Sequence, residues 1–197
     1  MSSTNRSKHR DSHSVDYYVT PVSSIIDFLM EFWNDNPEIN FNGKIILDPC
    51  AGGDKTNPMS YPEAIGKFNF DVPPKIVTID WRNDSRADIK NNFLTVNLSK
   101  NKYDVVITNP PFFIAQEVIE KSFSLVKEGG LVIMLLRLNF FGGQSRNKWW
   151  ECNMPTFCYV HSKRMRFIGT KNTDSIEYMH AVWIIGNNPK FTKLRII

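Results

Sequence analysis

Four short apolar segments, each closed by a polar or charged residue, constrain the fold of this chain more than any other feature. They read KIILD, PKIVTID, YDVVITN and GGLVIMLLR and lie at residues 44–48, 74–80, 103–109 and 129–137. Each is apolar at consecutive rather than alternate positions, a pattern typical of strands buried on both faces. Such segments separated by helical sequence predict an α/β, Rossmann-like domain with a doubly wound, mostly parallel sheet that binds ligands beyond the carboxyl ends of its strands. Functional side chains are therefore expected at Asp48, Asp80 and Asn109.

Helical sequence precedes the first of these strands and follows the third. Pro21 is a favourable helix starter, and a second helix is predicted over about residues 115–127. The first helix is expected to pack on the core from residue 23 onward. Its apolar residues recur at helical spacing and are Ile25, Ile26, Leu29, Met30 and Trp33.

The C-terminal part of the chain predicts a different arrangement. The segments TFCYVH (156–161) and EYMHAVWIIG (177–186) are interpreted as two further strands that form an antiparallel edge on the sheet. The stretch 139–155 mixes glycines, basic residues and aromatics, which predicts a long mobile loop. Trp149 and Trp150 are expected to pack under this loop, with stacking on a base as the alternative.

Length and composition limit the classes of protein to consider. A chain of 197 residues accommodates one α/β domain, predicted over residues 15–197 after a flexible arm at residues 1–14, without room for a separate target-recognition domain. Because it has neither a run of about 20 apolar residues nor a signal sequence, we expect a cytoplasmic protein that does not enter membranes. The three cysteines lack CxxC spacing and His161 and His180 lack ligand partners, so no metal site is predicted. The net charge of +4 permits a polyanionic partner.

The sequence Asn109-Pro110-Pro111-Phe112 follows the third strand. Two successive prolines cannot continue a strand and hold the backbone extended, so the Asn109 side chain and the Pro110 carbonyl present two acceptors to one point. Two such acceptors suit the exocyclic amine of adenine, whose lone pair is freed when its hydrogens are held, and Phe112 could stack on the base. The alternative is that these residues only end a strand and turn the chain toward a helix.

Two other strand ends carry residues suited to a nucleotide-like ligand. The turn Asp48-Pro49-Cys50-Ala51-Gly52-Gly53 contains a glycine pair that lets a ligand approach the backbone closely. Asp80 lies where a doubly wound sheet places the carboxylate that binds ribose hydroxyls, although it could equally cap a following helix. Asp54 and Lys55 could face the same ligand, but we favour solvation in a loop.

Taken in order, these motifs resemble the class I S-adenosylmethionine-dependent methyltransferases, and among them the amino-methyltransferases of the DNA N6-adenine type that carry Asn-Pro-Pro-aromatic. Tyr18-Val19-Thr20-Pro21 is similar to the family's N-terminal Tyr-x-Thr-Pro motif, DPCAGG to its cofactor loop, Asp80 to its ribose-binding acid and NPPF to its catalytic motif. Asn92-Phe93 falls where the family often has Asp-Phe for binding the cofactor's adenine, with Asp88 as the competing candidate. The compact chain also looks like the small enzymes of phages and prophages.

The resemblance implies an enzyme, a cofactor and a set of site residues. The implied fold is the class I methyltransferase fold with an antiparallel strand at the C-terminal edge, and the implied cofactor is S-adenosyl-L-methionine, with no metal. Catalysis would fall on Asn109, Pro110, Pro111 and Phe112. The implied cofactor-binding residues are Tyr18, Thr20, Pro21, Asp48, Pro49, Cys50, Ala51, Gly52, Gly53, Asp80, Trp81, Asn92, Phe93 and Asn109.

The basic residues after the catalytic motif indicate where a polymer substrate would bind. DNA is the expected partner and RNA the alternative, because the Tyr-x-Thr-Pro motif favours DNA within the family. Methylation of a protein glutamine amide is a further alternative, and so is a nucleic-acid-binding module without turnover. The cations expected at backbone phosphates are Arg137, Arg146, Lys148, Lys163, Arg164 and Arg166.

Overall fold

The computed structural model describes residues 18–168 and 175–197. The arm predicted at residues 1–14 lies outside these ranges. The helices are α1 (Val22–Asp35), α2 (Ser60–Ile65), α3 (Ala115–Leu125) and α4 (Asn147–Asn153), with short 3₁₀ turns at Phe112–Ile114, Leu138–Phe141 and Gln144–Arg146. The strands are β1 (Ile45–Asp48), β2 (Lys75–Asp80), β3 (Ile89–Lys90), β4 (Tyr103–Thr108), β5 (Val126–Arg137), β6 (Phe157–Val160), β7 (Tyr178–Ile184) and β8 (Lys193–Ile196).

The strands form one sheet in the order β3-β2-β1-β4-β5-β7-β6-β8. Neighbours from β3 to β5 pair in parallel, and β6 is parallel to β8. Strand β7 is antiparallel to both of its neighbours, β5 and β6. The predicted mostly parallel, doubly wound sheet is therefore confirmed, with its antiparallel strand lying inside the C-terminal half of the sheet rather than at the margin.

Two strands were not predicted from the sequence. Strand β3 has only two residues, and all four side chains of β8 are exposed. Neither segment buries an apolar run, which is the feature that identified the other strands. Hydrogen bonding to β2 and β6, respectively, adds them to the sheet.

Helix α1 covers one face of the sheet. Its fully buried residues are Ile25, Phe28, Leu29 and Phe32, whose spacing puts them on one side of the helix. The predicted helix is confirmed, but one of its contact residues was assigned wrongly. Met30 is 51% exposed, while Phe28 and Phe32, which the periodicity also allowed, make the core contact.

Helix α3 packs on the opposite face. The two faces are distinguished along β5, where Leu131 and Ile133 join the α1 cluster while Val132 and Met134 join the α3 cluster. The helix ends at Leu125, slightly earlier than predicted, because β5 begins at the next residue.

Residues 139–155 are more regular than predicted. The prediction of one irregular loop was wrong, because the segment contains two 3₁₀ turns and α4. Aromatic packing accounts for this order, since Trp149 and Trp150 lie 4.7 Å apart between ring centroids and both contact Phe140. The expected packing role of the tryptophans agrees with these contacts.

Among residues 18–168 and 175–197, no helix has both the length and the apolar character needed to cross a membrane.

Candidate active site

A cavity of about 280 Å³ lies at the carboxyl ends of β1, β2 and β4. The segments that follow these strands form its walls, as expected for a doubly wound sheet. Pro21 and Asp48 were predicted to bind the cofactor but do not line the cavity, because Pro21 caps α1 and Asp48 is buried behind the turn. The other predicted residues line it: Tyr18, Thr20, Pro49, Cys50, Ala51, Gly52, Gly53, Asp80, Trp81, Asn92, Phe93, Asn109, Pro110, Pro111 and Phe112.

Part of the cavity lining was not predicted from the sequence. Ser60 and Tyr61 belong to α2, a six-residue helix too short to show a clear apolar period. Arg82 could have been found as the first basic residue after Asp80. The remaining lining residues are Leu94, Phe113, Ile114 and Val118.

The glycine pair shapes the turn after β1. Gly52 and Gly53 have φ angles of 65° and 73°, in the left-handed region that glycine adopts without strain. A Cβ atom on Gly53 would lie 2.7 Å from Met59 Cγ. Glycine at position 53 therefore has a local cause, which is the tight packing of the turn against the segment before α2. The close approach of a ligand to this backbone stays a prediction.

Asp80 fixes this turn to the end of β2. Its Oδ2 accepts a hydrogen bond from the Gly52 N–H at 2.8 Å, and its Oδ1 accepts one from the Arg82 N–H at 2.9 Å. The Arg82 guanidinium lies 3.3 Å from Oδ1 and also donates to the Gly53 carbonyl at 2.9 Å. No helix separates β2 from β3, so the alternative of a helix-capping carboxylate is wrong.

Asp48 is a fully buried carboxyl group behind the turn. Its Oδ1 accepts hydrogen bonds from the Thr108 hydroxyl at 2.6 Å and the Cys50 N–H at 3.3 Å, while Oδ2 has no hydrogen-bond partner in the described ranges. Burial raises the pKa of Asp48 to about 7, against the lowering effect of these hydrogen bonds. Burial and the neighbouring carboxyl groups also raise the pKa of the Cys50 thiol, which disfavours a thiolate nucleophile at the cavity.

Asn92 and Asp88 are the two residues predicted as candidates for binding the cofactor's adenine, and only Asn92 lines the cavity. Asn92 lines the cavity, with its Oδ1 accepting the Leu94 N–H at 2.9 Å, and the buried ring of Phe93 lies beside it. The Asp88 carboxylate instead accepts hydrogen bonds from the Thr78 N–H and hydroxyl at 3.0 and 2.8 Å. The geometry favours Asn92 over Asp88.

Asn109 follows β4 and is oriented by the N-terminal segment. Its Nδ2 donates a hydrogen bond to the Thr20 hydroxyl oxygen at 3.0 Å. Its Oδ1 is buried and has no hydrogen-bond partner among residues 18–168 and 175–197. Leaving a buried acceptor unpaired costs about 1–3 kcal/mol, so the position is suited to a donor from a ligand. Thr20 is itself held in place, because Val19 pairs with Ile168 through a hydrogen bond of 3.0 Å.

Phe112 belongs to an aromatic wall next to the cavity. Its ring centroid lies 5.7 Å from that of Tyr178, which in turn lies 5.1 Å from Phe167. Tyr18 closes the series at 5.3 Å from Phe167. The guanidinium carbon of Arg137 lies 4.5 Å from the centroid of the Phe112 ring. Phe112 was predicted from the sequence but this wall was not, because its members come from four separate segments.

Solved structures share this arrangement of strands and helices. The chain aligns over 95% of its length with 68% of a protein from Listeria monocytogenes described as a class I S-adenosylmethionine-dependent methyltransferase, with a TM-score of 0.68 and 16% identity. It aligns over 91% of its length with 47% of a type I restriction-modification methyltransferase subunit from Streptococcus thermophilus, with a TM-score of 0.62 and 12% identity. A protein from Pyrococcus horikoshii described as an RNA methyltransferase gives a TM-score of 0.59 at 13% identity, over 85% of this chain and 86% of that one. No protein-family model and no curated protein matches the sequence.

The fold is that of the class I methyltransferases. Identities this low establish a shared fold, whereas the reaction has to be argued from the side chains at the site. Within this methyltransferase fold, the cavity lies at the strand ends where the sequence motifs had been expected to meet.

The predicted phosphate-binding cations do not all have free guanidinium or ammonium groups in this methyltransferase fold. Arg146 donates to the Phe140 and Gly142 carbonyls at 3.0 and 2.7 Å, so it stabilises its own loop. Arg164 lies 3.6 Å from the Glu177 carboxylate, with both side chains exposed. Arg137 contacts the aromatic wall, as described above. The other three predicted cations have exposed side chains and are Lys148, Lys163 and Arg166.

Two buried histidines connect the hydrophobic core to the cavity wall. His161 Nε2 lies 2.8 Å from His180 Nδ1, and His180 Nε2 lies 3.1 Å from the Tyr61 hydroxyl. Burial lowers the pKa of His161 to about 4 and that of His180 well below its usual value, so both rings are neutral near pH 7. Their mutual bond and the stacking of Phe28 on His180 at 4.1 Å agree with the structural role expected from the sequence. No group of His, Cys, Asp and Glu side chains in the described ranges is arranged to hold a metal ion.

Proposed function

We propose that this chain is an S-adenosyl-L-methionine-dependent methyltransferase that methylates the exocyclic N6 amine of adenine in DNA. The observation that carries the proposal is the buried, unpartnered Oδ1 of Asn109 at the cavity. This acceptor directly precedes Pro110 and lies in the same turn as the Phe112 ring. A planar amino group with two hydrogens, attached to a flat base, matches two acceptors and an aromatic surface.

The residues of the cavity fit S-adenosyl-L-methionine as cofactor. The glycine turn would admit the methionine part close to the backbone, and the Asp80 carboxylate would accept hydrogen bonds from the ribose hydroxyls. Asn92, Phe93 and Trp81 would surround the adenine ring, and Trp81 is 49% exposed, so its ring is accessible for stacking. When bound, the cofactor supplies an electrophilic methyl group on a sulfonium sulfur.

The protein would contribute to the reaction by positioning the adenine amine and by presenting acceptor oxygens to its hydrogens. Asn109 Oδ1 and the Pro110 carbonyl would accept the two hydrogens of the adenine amine, which favours the pyramidal form and frees the nitrogen lone pair. The Thr20 hydroxyl keeps the Asn109 amide turned so that its oxygen remains available. Asn109 and Pro110 would hold the amine nitrogen ready for the methyl group that the cofactor would supply, and the proton displaced from the amine would pass to solvent.

DNA is the polymer we propose. The exposed cations Lys163 and Arg166 flank buried Met165 along one segment, so the charges face solvent while the apolar side chain anchors the chain. The similarity in fold to a restriction-modification methyltransferase subunit supports DNA, and the similarity in fold to a protein described as an RNA methyltransferase keeps RNA as the second candidate.

The test is transfer of labelled methyl from S-adenosyl-L-methionine to DNA and to RNA, followed by separation of the product nucleosides. We expect N6-methyladenine from DNA. Asn109→Ala should lower the rate by about 100-fold or more, because a preorganised polar contact to the reacting group is lost. Asn187→Ala, which changes an exposed asparagine in the turn after β7, is the matched control and should retain full activity.

Each other outcome would change the proposal in a defined way. Label found only in RNA would replace the polymer and keep the reaction. Cofactor binding without label in either nucleic acid would reject the nucleic-acid reaction and direct the assay to protein amides. Equal rates for Asn109→Ala and the unmodified protein would contradict the role given to Asn109.

A further inference from the structure

Arg137 occupies a position that the proposed reaction does not yet use. It is the last residue of β5 and pairs with Tyr178 of β7, at the same end of the sheet as Asn109. Its side chain is partly buried, and its guanidinium carbon lies 4.5 Å from the Phe112 ring centroid. A guanidinium at this distance from an aromatic ring is held by cation–π attraction, which fixes its position relative to Phe112.

No described residue carries a negative charge that pairs with the guanidinium of Arg137. Its Nε is buried without a hydrogen-bond partner, and its guanidinium makes no ion pair within residues 18–168 and 175–197. Arg146 differs, because its donors are taken up by loop carbonyls, and Arg164 differs because it lies near Glu177. Removing a cation from water without a counter-charge is costly, so a partly buried and unpaired guanidinium next to an active site indicates an anionic ligand.

The position of Arg137 limits which anion it can bind. It does not line the cofactor cavity, whereas Phe112 does, so the carboxylate of the cofactor's methionine part is not its ligand. A planar fork of N–H donors matches the oxygens of a phosphate group. A base stacked on Phe112 would bring the phosphates of its own nucleotide close to this guanidinium.

We infer that Arg137 binds a backbone phosphate adjacent to the adenine that stacks on Phe112, and so determines which nucleotide of the strand enters the site. This inference rests on the proposed function. Arg137 is a positioning residue, since it acts through the substrate backbone and not on the reacting nitrogen.

The test uses an oligonucleotide whose methylated adenine has been mapped, and compares normal linkages with single methylphosphonate linkages, which are uncharged, around that adenine. With the unmodified protein, one adjacent methylphosphonate should raise KM about tenfold, as expected for one lost charge-assisted contact. With Arg137→Gln, KM should already be about tenfold higher on normal DNA, and the same methylphosphonate should change it less than twofold. Lys75→Gln, which removes an exposed charge at the start of β2, is the control and should respond to the methylphosphonate like the unmodified protein.

A second measurement distinguishes phosphate binding by Arg137 from a structural role in which Arg137 only holds the Phe112 ring in place. The slope of log affinity against log salt concentration should decrease by about 0.7–0.9 in Arg137→Gln, as for one lost phosphate contact, and Arg137→Lys should keep most of that slope. Affinity for S-adenosyl-L-methionine should be unchanged in both variants. If every methylphosphonate raises KM by the same factor in Arg137→Gln as in the unmodified protein, the inference is overturned, while the methylation reaction stands. Failure of the unmodified protein to methylate any nucleic acid would overturn the proposed function and the inference together.

Discussion

At the scale of single residues, Asp48 has the most unusual chemistry of the site. Its carboxyl group is fully buried, one oxygen lacks a partner in the described ranges, and its pKa is raised to about 7 mainly by burial. The unfolded chain ionises this group near its ordinary pKa of 3.8. Between these two values the folded protein keeps a proton that the unfolded chain has released, so increasing pH disfavours the folded state. The penalty begins near pH 4, grows until about pH 7 and is constant above it.

Asp48→Asn should remove this pH dependence. Relative to the unmodified protein, we expect the free energy of unfolding of the variant to increase by roughly 2–3 kcal/mol between pH 5 and pH 8, because asparagine does not ionise. Urea denaturation without cofactor at both pH values measures the change. Asp71→Asn, at an exposed aspartate, should show no such increase. If the free energies of unfolding of Asp48→Asn and of the unmodified protein differ by the same amount at pH 5 and pH 8, the raised pKa assigned to Asp48 is contradicted.

At the scale of elements, the turn after β1 can be tested by comparing two glycines. Gly53 and Gly129 have nearly the same φ, 73° and 72°, but a Cβ on Gly53 would lie 2.7 Å from Met59 Cγ, whereas one on Gly129 would meet no described residue within 4 Å. Replacement of either by alanine should cost about 1 kcal/mol of stability through backbone strain. Only Gly53→Ala should also weaken binding of S-adenosyl-L-methionine, by about tenfold or more, because the turn that lines the cavity must shift. Calorimetric titration measures both affinities, and equal cofactor affinity in the two variants would reject the role of the turn.

Elements also show what the sequence could and could not predict. Strands β1, β2, β4 and β5 were predicted because burial on both faces leaves an unbroken apolar run. Their carboxyl ends meet at one edge of a parallel sheet, so residues such as Asp80 and Asn109 could be placed at the site before their contacts were known. Helix α2 and strand β8 lack such a run, and with α2 the contribution of Tyr61 was missed.

The aromatic wall was beyond the reach of sequence patterns for a different reason. Tyr18, Phe112, Phe167 and Tyr178 are far apart in the chain and meet only through the tertiary fold. For the same reason, six cations looked alike in sequence, although Arg146 is held by its own loop and Arg137 lies against Phe112. Partners of a charged side chain depend on packing, which a local pattern does not encode.

At the scale of the whole molecule, ligand binding should stabilise the fold because the cavity joins segments from Tyr18 to Val118. A ligand at 100 times its dissociation constant adds about 2.7 kcal/mol to the free energy of unfolding. For a chain of this length, that corresponds to an increase in Tm of roughly 5–10 °C. Thermal unfolding should therefore shift with S-adenosyl-L-methionine and with its demethylated product S-adenosylhomocysteine, but much less with ATP at the same concentration. Equal shifts with all three compounds, or no shift with any, would contradict the cofactor proposed for the cavity.

Strand β7 fills the space between β5 and β6, although both of these strands precede it in the chain. Synthesis on the ribosome proceeds from the N-terminus, so the edge of β5 that pairs with β7 from Leu131 to Arg137 is left open while β6 and the following segment are made. An open strand edge of this length readily pairs with other chains. The nascent protein is therefore expected to depend on chaperones during this interval, because the open edge of β5 can be paired within the sheet only after β7 has been made.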